Sequence, residues 1–160
     1  MNNITIINFV ELDDTEKNEI LSWRNNEHVR KWMHNSNIIS QSDHYKFIKT
    51  LKENKNKKYF LVKEQNKKIG VINFIRMDEY TEFGVYTNPE YRGYGKKLMT
   101  TICNHGFEDM NLDRLVAEVF SHNKKALNLY LNFNFTIFKE VLNKRKRIIY
   151  LELKNENWKI

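Results

Sequence analysis

The sequence has little of what organises secreted, metal-binding or membrane-spanning proteins. Its 160 residues include one cysteine, one proline and five glycines. A lone cysteine, Cys103, excludes a disulfide within the chain and fits a reducing compartment. The N-terminal segment lacks a basic region ahead of its short apolar stretch, and no apolar run is long enough to span a bilayer. These absences predict a cytoplasmic protein without a signal peptide, and no zinc-ligand spacing indicates a metal.

The net charge of the chain limits the kinds of partner it can bind but does not identify one. The formal net charge is +7, with 27 Lys and Arg against 20 Asp and Glu. Such a balance suits nucleic acid, an acidic surface or a small polyanionic ligand. A lysine-rich composition can produce part of this charge by itself, and no RNA-binding aromatic signature accompanies it. We therefore expect small anionic ligands rather than nucleic acid or a membrane, and a monomer or homodimer.

The order of apolar patterns predicts one α/β domain over residues 1–160. No Gly-, Ser- or Pro-rich stretch and no internal repeat divides the chain. Helical patterns begin near residues 14, 40, 94 and 123, the second of them with a capping signal at Ser40. Alternating or continuous apolar runs typical of strands cover residues 4–10, 59–63, 69–75, 81–87, 115–120, 135–141 and 147–153.

The stretch NPEYRGYGKK, residues 88–97, concentrates the turn residues of the chain. It contains Pro89 and two of the five glycines, between a predicted strand and a predicted helix. A glycine-containing turn of this kind directs backbone N–H groups and the positive end of a helix dipole to one spot, which suits a phosphate or pyrophosphate. It lacks the spacing of a nucleotide P-loop and the third glycine of a dinucleotide fingerprint. By itself the turn also fits a plain structural role.

A second constellation follows the apolar run LVAEVF. In SHNKKALNLY, Asn123, Ala126 and Tyr130 are spaced i, i+3 and i+7 and share one helix face. An amide, a small residue and a phenol in one column suit a thin ligand that passes along the helix. Together, the RGYGKK turn and this column resemble the acetyl-CoA site of the GCN5-related N-acetyltransferase (GNAT) superfamily.

This resemblance implies a fold and a cosubstrate. GNAT proteins have a mixed, mostly antiparallel seven-stranded sheet flanked by four helices, with two central parallel strands that splay apart. The cosubstrate is acetyl-CoA, and no metal is implied. The chain departs from the usual signatures at Lys97, where a Gly or Ala is usual, and at Asn134, where a Gly is usual. The residues that the resemblance assigns to acetyl-CoA are Val85, Tyr86, Thr87, Arg92, Gly93, Tyr94, Gly95, Lys96, Lys97, Asn123 and Lys125.

The resemblance also implies direct transfer of the acetyl group. An amine attacks the thioester carbonyl, a backbone N–H near Val85 stabilises the oxyanion, and Tyr130 protonates the departing thiolate. The base is less well defined. Glu118 interrupts an apolar run, and Glu82 shares a strand face with Gly84 and Tyr86. We favour Glu118 as the group that orients the amine or deprotonates it through water, with a plain salt bridge as the alternative.

The acceptor is indicated by a narrower likeness. The segments WRN, WM, KKYFLVKE, IGVINF, EFGVYTNP and NKKALNLY resemble the nucleotide-sugar N-acetyltransferases of bacterial pseudaminic acid biosynthesis. That likeness implies acetylation of the 4-amino group of a UDP-linked amino-dideoxy sugar, with an N-terminal acetyltransferase of ribosomal proteins or peptides as the alternative. A polyamine acceptor would call for an acidic rim that a +7 chain does not suggest. The residues expected to contact the acceptor are Arg24, Met33, His34, His44, Phe47 and Glu82.

Overall fold

The computed structural model describes residues 3–158, which contain seven β-strands and five α-helices. No helix in this range is long and apolar enough to cross a membrane. The strands are β1 (Ile4–Asn8), β2 (Lys57–Glu64), β3 (Lys67–Arg76), β4 (Thr81–Thr87), β5 (Arg114–Phe120), β6 (Thr136–Asn143) and β7 (Lys146–Lys154). The helices are α1 (Asp14–Asn25), α2 (Glu27–Arg30), α3 (Gln41–Thr50), α4 (Gly95–Cys103) and α5 (Lys124–Asn132).

The seven strands form one sheet in the order β1-β2-β3-β4-β5-β7-β6. The β1–β2, β5–β7 and β6–β7 pairs are antiparallel, whereas β4 and β5 are parallel. The parallel ladder consists of two residue pairs, Thr81 with Leu115 and Glu82 with Val116. Such a short ladder agrees with a central pair of strands that splay apart. The strand order and directions confirm the predicted α/β class, the mostly antiparallel seven-stranded sheet and its parallel centre.

The helices begin where the sequence predicts, and their caps explain why. The Asp13 carboxylate accepts from the N–H of Glu16, and the Glu16 side chain accepts from the N–H of Asp13, which forms a capping box for α1. The Ser40 hydroxyl accepts from the N–H of Asp43 at the start of α3. The sequence predicted four flanking helices, and the described residues contain five. The additional helix, α2, is a single turn and is too short to show a periodic pattern.

The long helical pattern after Tyr94 changes its hydrogen-bonding period. The α-helix α4 ends at Cys103 and continues as a π-helical segment, Asn104–Asp109. A π-helical turn is rare and shares the apolar spacing of an α-helix closely enough that a sequence pattern does not separate the two. Cys103 itself is buried, and burial raises the pKa of its thiol to about 12, in accordance with a packing role.

Each of two compact units has its own buried cluster. The first unit comprises Met1–Asn73 with Val85–Tyr94, and the second comprises Phe74–Gly84 with Gly95–Ile160. The chain therefore changes unit within β3, within β4 and ahead of α4, while a single domain over the whole chain stays a prediction. Buried residues of the first unit include Phe9, Ile20, Trp23, Leu61 and Val71, and those of the second include Leu98, Met99, Ile102, Leu115 and Leu151.

Candidate active site

The turn after β4 is held in place at its first residue. Asn88 is buried, its backbone N–H donates to the Ile69 carbonyl, and its side-chain amide donates to the Lys68 carbonyl, each at 2.9 Å. Its side-chain oxygen accepts from the N–H of Glu90 at 3.0 Å. Sequence reasoning missed Asn88, although an asparagine directly before a proline is a known turn signal.

The two glycines of the turn serve different physical needs. Gly93 has a φ of 83°, in the left-handed region that a side chain disfavours. Gly95 begins α4, and a Cβ on it would lie 3.2 Å from Cδ2 of Leu129 in α5. Gly93 therefore permits the turn, and Gly95 permits the close approach of α4 to α5.

Cationic residues stand directly before α4 and in its first turn. Arg92, Lys96 and Lys97 are exposed, and Lys67 donates from Nζ to the Tyr94 hydroxyl at 3.1 Å. The first-turn N–H groups of an α-helix have no intrahelical acceptor and carry the positive end of the dipole. This end of α4 therefore has the chemistry to hold a diphosphate. Among residues 3–158, no group of His, Cys, Asp and Glu side chains is arranged to hold a metal ion.

Replacement of Gly93 tests the turn. Gly93→Val should weaken acetyl-CoA binding about tenfold, because a β-branched residue at a φ of 83° is strained by roughly 1–2 kcal/mol and shifts the turn. Gly93→Asn is the matched control, since asparagine tolerates this backbone region and should retain most of the affinity. Isothermal titration with acetyl-CoA measures both. Equal binding by the valine variant and the wild type would show that the turn does not contact the ligand.

At the start of α5, the oxygen of an asparagine side-chain amide is engaged and its nitrogen is not part of the cap. Asn123 caps the helix, and its Oδ1 accepts from the N–H of Ala126 at 3.4 Å. Its side-chain NH2 carries two donors that a ligand carbonyl could accept. Lys125 is exposed in the first turn. After the helix, Asn134 has a φ of 69°, so an asparagine occupies the left-handed position where GNAT chains usually have glycine.

Tyr130 is buried on α5 among aromatic rings. Its ring meets Phe83 edge-on, with centroids 5.5 Å apart at 88°, and lies 6.2 Å from Phe135. Burial raises the pKa of Tyr130 to about 12. The phenol is therefore protonated at neutral pH, which is the state that an acid needs.

Both candidate carboxylates lie on one face of the sheet in the second unit. Glu82 pairs with Val116, two residues before Glu118 on β5, so the two glutamates project to the same side. Glu118 lies directly opposite Tyr150 of β7, and burial together with the charge of this carboxylate raises the pKa of Tyr150. Burial and the charges of both carboxylates raise the pKa of the neighbouring Tyr80. Sequence reasoning missed Tyr150, because its relation to Glu118 depends on strand register.

Arg24 has a buried donor without a partner. Its Nη2 donates to the Asn35 carbonyl at 2.8 Å, whereas its Nη1 is buried and makes no hydrogen bond. Burial lowers the pKa of Arg24, and the hydroxyls of Tyr59 and Tyr86 are near enough to oppose that shift. An unsatisfied buried donor costs about 1–3 kcal/mol, which an acceptor atom of a ligand would relieve.

The other predicted acceptor residues occupy different surroundings. Phe47 packs edge-on against Tyr59, with centroids 5.0 Å apart, so Tyr59 links Phe47 with Arg24. His44 is buried, and its Nε2 lies 2.9 Å from the Lys17 carbonyl. Burial lowers the pKa of His44, so a neutral ring donates this bond and ties α3 to α1. The remaining two, Met33 and His34, follow α2 and are half-buried and exposed respectively.

Three comparisons with known proteins bear on this arrangement. Residues 6–136 match the family described as Acetyltransferase (GNAT) domain. Acetyltransferase PseH of Campylobacter jejuni is 40% identical over 138 residues, which cover 86% of this chain and 87% of that protein. The crystal structure of C. jejuni N-acetyltransferase PseH in complex with acetyl coenzyme A matches with a TM-score of 0.78 and 36% identity, over 94% of this chain and 98% of that one.

A more distant structure has the same fold. Spermidine N-acetyltransferase of Vibrio cholerae in complex with CoA and spermine matches with a TM-score of 0.87, over 97% of each chain. Its identity to this chain is 17%. At that level the likeness concerns the architecture alone.

Proposed function

Because the chain belongs to the GNAT family of acetyltransferases, we propose that it transfers the acetyl group of acetyl-CoA to the 4-amino group of a UDP-linked amino-dideoxy sugar, as in pseudaminic acid biosynthesis. The observation that carries the proposal is the similarity to C. jejuni PseH, which extends over most of both chains. A cytoplasmic location belongs to the same proposal, and a single cysteine favours it.

The cationic start of α4 supports the proposed place of the cosubstrate. Backbone N–H groups from Arg92 to Lys97 hold the diphosphate, and Lys125 reaches a phosphate oxygen. The backbone of Tyr86 and Thr87 pairs with the pantetheine arm, and the side-chain amide of Asn123 donates to it. Acetyl-CoA supplies an acetyl group activated as a thioester.

The proposed reaction is a direct transfer with two proton movements. The acceptor nitrogen attacks the thioester carbonyl and forms the C–N bond, the N–H of Val85 stabilises the resulting tetrahedral oxyanion, and the C–S bond then breaks as the carbonyl reforms. Glu118 orients the amine or takes the proton that the amine loses through one water. Tyr130 gives its proton to the sulfur, so coenzyme A leaves as a thiol.

Two features support an anionic nucleotide-sugar acceptor. The unsatisfied Nη1 of Arg24 is suited to an oxygen of the acceptor diphosphate. Phe47 and Tyr59 present aromatic surface beside this guanidinium, and such surface stacks on a uracil ring. His44 remains a predicted contact, although its bond to Lys17 also accounts for its burial.

Mass spectrometry tests the proposal directly. The protein is incubated with acetyl-CoA and a UDP-linked 4-amino-dideoxy sugar, and the sugar should gain one acetyl group. Parallel reactions contain a peptide with a free N-terminus and a polyamine. Acetylation of the peptide alone would identify the N-terminal acetyltransferase instead, and acetylation of the polyamine alone would also overturn the proposed acceptor.

Arg24 should contribute to acceptor binding more than to cosubstrate binding. Arg24→Ala is expected to raise the KM for the nucleotide sugar about 10- to 100-fold, which corresponds to about 1.5–3 kcal/mol for a hydrogen bond to a charged group. The KM for acetyl-CoA should change little. Steady-state kinetics with each substrate varied in turn measure both values.

Arg30→Ala is the matched control for this variant. Arg30 donates to the carbonyls of Asn25 and Ser36, and Arg24 donates to that of Asn35, so both arginines hold the segment after α2. Loosening this segment alone should change the KM for the nucleotide sugar by a much smaller factor than Arg24→Ala. If both variants raised the KM for the nucleotide sugar equally, Arg24 would have a structural role only.

A further inference from the structure

The sheet face that bears the two glutamates also bears a tyrosine with no role in the reaction described so far. Tyr150 of β7 lies directly opposite Glu118 of β5, so its hydroxyl and the carboxylate are neighbours on one face of the sheet. Directly opposite residues of an antiparallel pair project to one side with Cβ atoms about 5 Å apart. The register of two strands, rather than a loop, therefore places the hydroxyl at the carboxylate.

This register is firmly specified. The β5–β7 ladder has seven consecutive pairs, from Arg114 with Lys154 to Phe120 with Ile148. Residues of the pairs beside Glu118 and Tyr150 project to the opposite face and are buried: Ala117, Val119, Ile149 and Leu151. A shift of either strand by one residue would turn these apolar side chains away from the core and turn Glu118 or Tyr150 towards it, so the pairing of Glu118 with Tyr150 is coupled to the core.

Helices of the second unit contact the other face of its strands. Phe83, next to Glu82 on β4, packs on Tyr130 of α5. Leu115 of β5 lies against Gly106 in the π-helical segment, where an added Cβ would be 3.2 Å from its Cδ1. On the face of Glu118 and Tyr150, these two side chains are only half-buried, which leaves them accessible to a substrate.

The Tyr150 ring is fixed by neighbours on β6. Its centroid lies 6.3 Å from that of Phe138, and the Lys139 Nζ lies 5.1 Å from it. Arg114 lies on the same face, and its Nε forms an ion pair with Oε1 of Glu152 at 2.7 Å. Burial and the charges of Glu118 and Glu82 raise the pKa of Tyr150 to about 12, so its hydroxyl keeps its proton at neutral pH and is available as a hydrogen-bond donor.

We propose that Tyr150 is a positioning residue for acetyl transfer, whose hydroxyl holds one oxygen of the Glu118 carboxylate so that the other faces the acceptor amine. The inference rests on the proposed function, in which Glu118 orients that amine or takes its proton through water. A carboxylate has two oxygens with lone pairs for about four hydrogen bonds, so it can serve both partners at once. The Tyr150 O–H bond stays intact throughout, and the proton of the amine goes to Glu118.

Kinetics of Tyr150→Phe test the role. Phenylalanine keeps the ring contacts with Phe138 and Lys139 and removes only the hydroxyl. We expect kcat for the acetylated acceptor to fall about tenfold, with the KM for acetyl-CoA unchanged. The double variant with Glu118→Gln should be no slower than Glu118→Gln alone, because the hydroxyl acts through the carboxylate.

Removal of a different tyrosine hydroxyl serves as a control that distinguishes the positioning role from a general loss of folding stability. Tyr45→Phe removes a hydroxyl that donates to Asn18 Oδ1 at 3.1 Å in the first unit, and it should leave kcat at the wild-type value. A Tyr150→Phe variant with wild-type kcat would overturn the inference. The inference would also be overturned if the losses of kcat caused by Tyr150→Phe and Glu118→Gln multiplied in the double variant. A fall in kcat that is fully explained by a smaller folded fraction of Tyr150→Phe would overturn it too.

Nuclear magnetic resonance tests the contact without any substrate. The Cζ resonance of isotope-labelled Tyr150, assigned by its absence in Tyr150→Phe, should move in Glu118→Gln. The resonance of Tyr130 is the internal control and should stay in place, because burial alone raises the pKa of that residue. An unmoved Tyr150 resonance overturns the inference, whereas failure to acetylate the nucleotide sugar overturns only the proposed acceptor. The kinetic comparison then uses whichever amine is acetylated.

Discussion

Tyr130→Phe is expected to lower kcat about 100-fold and to leave the dissociation constant of acetyl-CoA near the wild-type value. General acids contribute roughly 10²- to 10⁴-fold, most when their pKa is near the working pH. The pKa of Tyr130 is raised by burial to about 12, which keeps the phenol protonated but makes it a weak acid, so the lower end of that range applies. Single-turnover kinetics and titration with acetyl-CoA measure the two quantities.

The same pKa predicts how turnover depends on pH. Because Tyr130 stays protonated until the pH approaches about 12, its ionisation should cause no loss of kcat between neutral pH and about pH 10. Phenylalanine preserves the ring contacts with Phe83 and Phe135, so the variant should remain folded. An unchanged kcat in Tyr130→Phe would remove the hydroxyl from the mechanism.

Glu118→Gln should also reduce kcat about 100-fold, because glutamine keeps the shape of the side chain and cannot accept the proton of the amine. Glu82→Gln is the matched control on the same sheet face, and its effect should be tenfold or less. Rates with saturating acetyl-CoA and acceptor measure both variants. A larger loss in Glu82→Gln would transfer the role of base to that residue.

The choice between these two glutamates shows where local patterns stop being informative. Alternation along β4 and the polar interruption of LVAEVF indicated that both carboxylates mattered, and each strand lies where it was predicted. Neither pattern indicated that Glu118 lies opposite a tyrosine. That fact depends on the pairing of β5 with β7, two segments that are distant along the chain.

The RGYGKK turn shows a similar division. A strand, a glycine turn and a helix with a basic first turn are all readable from residues 81–97. The need for glycine at position 95 comes from Leu129 on another helix, which a Cβ would approach to 3.2 Å. The role of Asn88 likewise lies in bonds to the backbone of β3, which no spacing within the turn reveals.

The acceptor side was the least predictable. Arg24, His44 and Phe47 share helical patterns with core residues, so a sequence alone does not separate a ligand contact from packing. The structure distinguishes them by their partners. His44 is satisfied by a backbone carbonyl, whereas Arg24 has a buried nitrogen without an acceptor, beside the half-buried ring of Tyr59.

By itself the sequence determined the family resemblance, the order of the seven strands and the four longer helices, the cosubstrate signature and the phenol on α5, because hydrophobic periodicity, turn residues and motif spacing are local properties. Tertiary structure alone decided which side chain stands opposite Glu118, which contact demands Gly95 and which nitrogen of Arg24 lacks a partner. These depend on strand register and on the packing of distant segments, and a local pattern of residues does not encode either one.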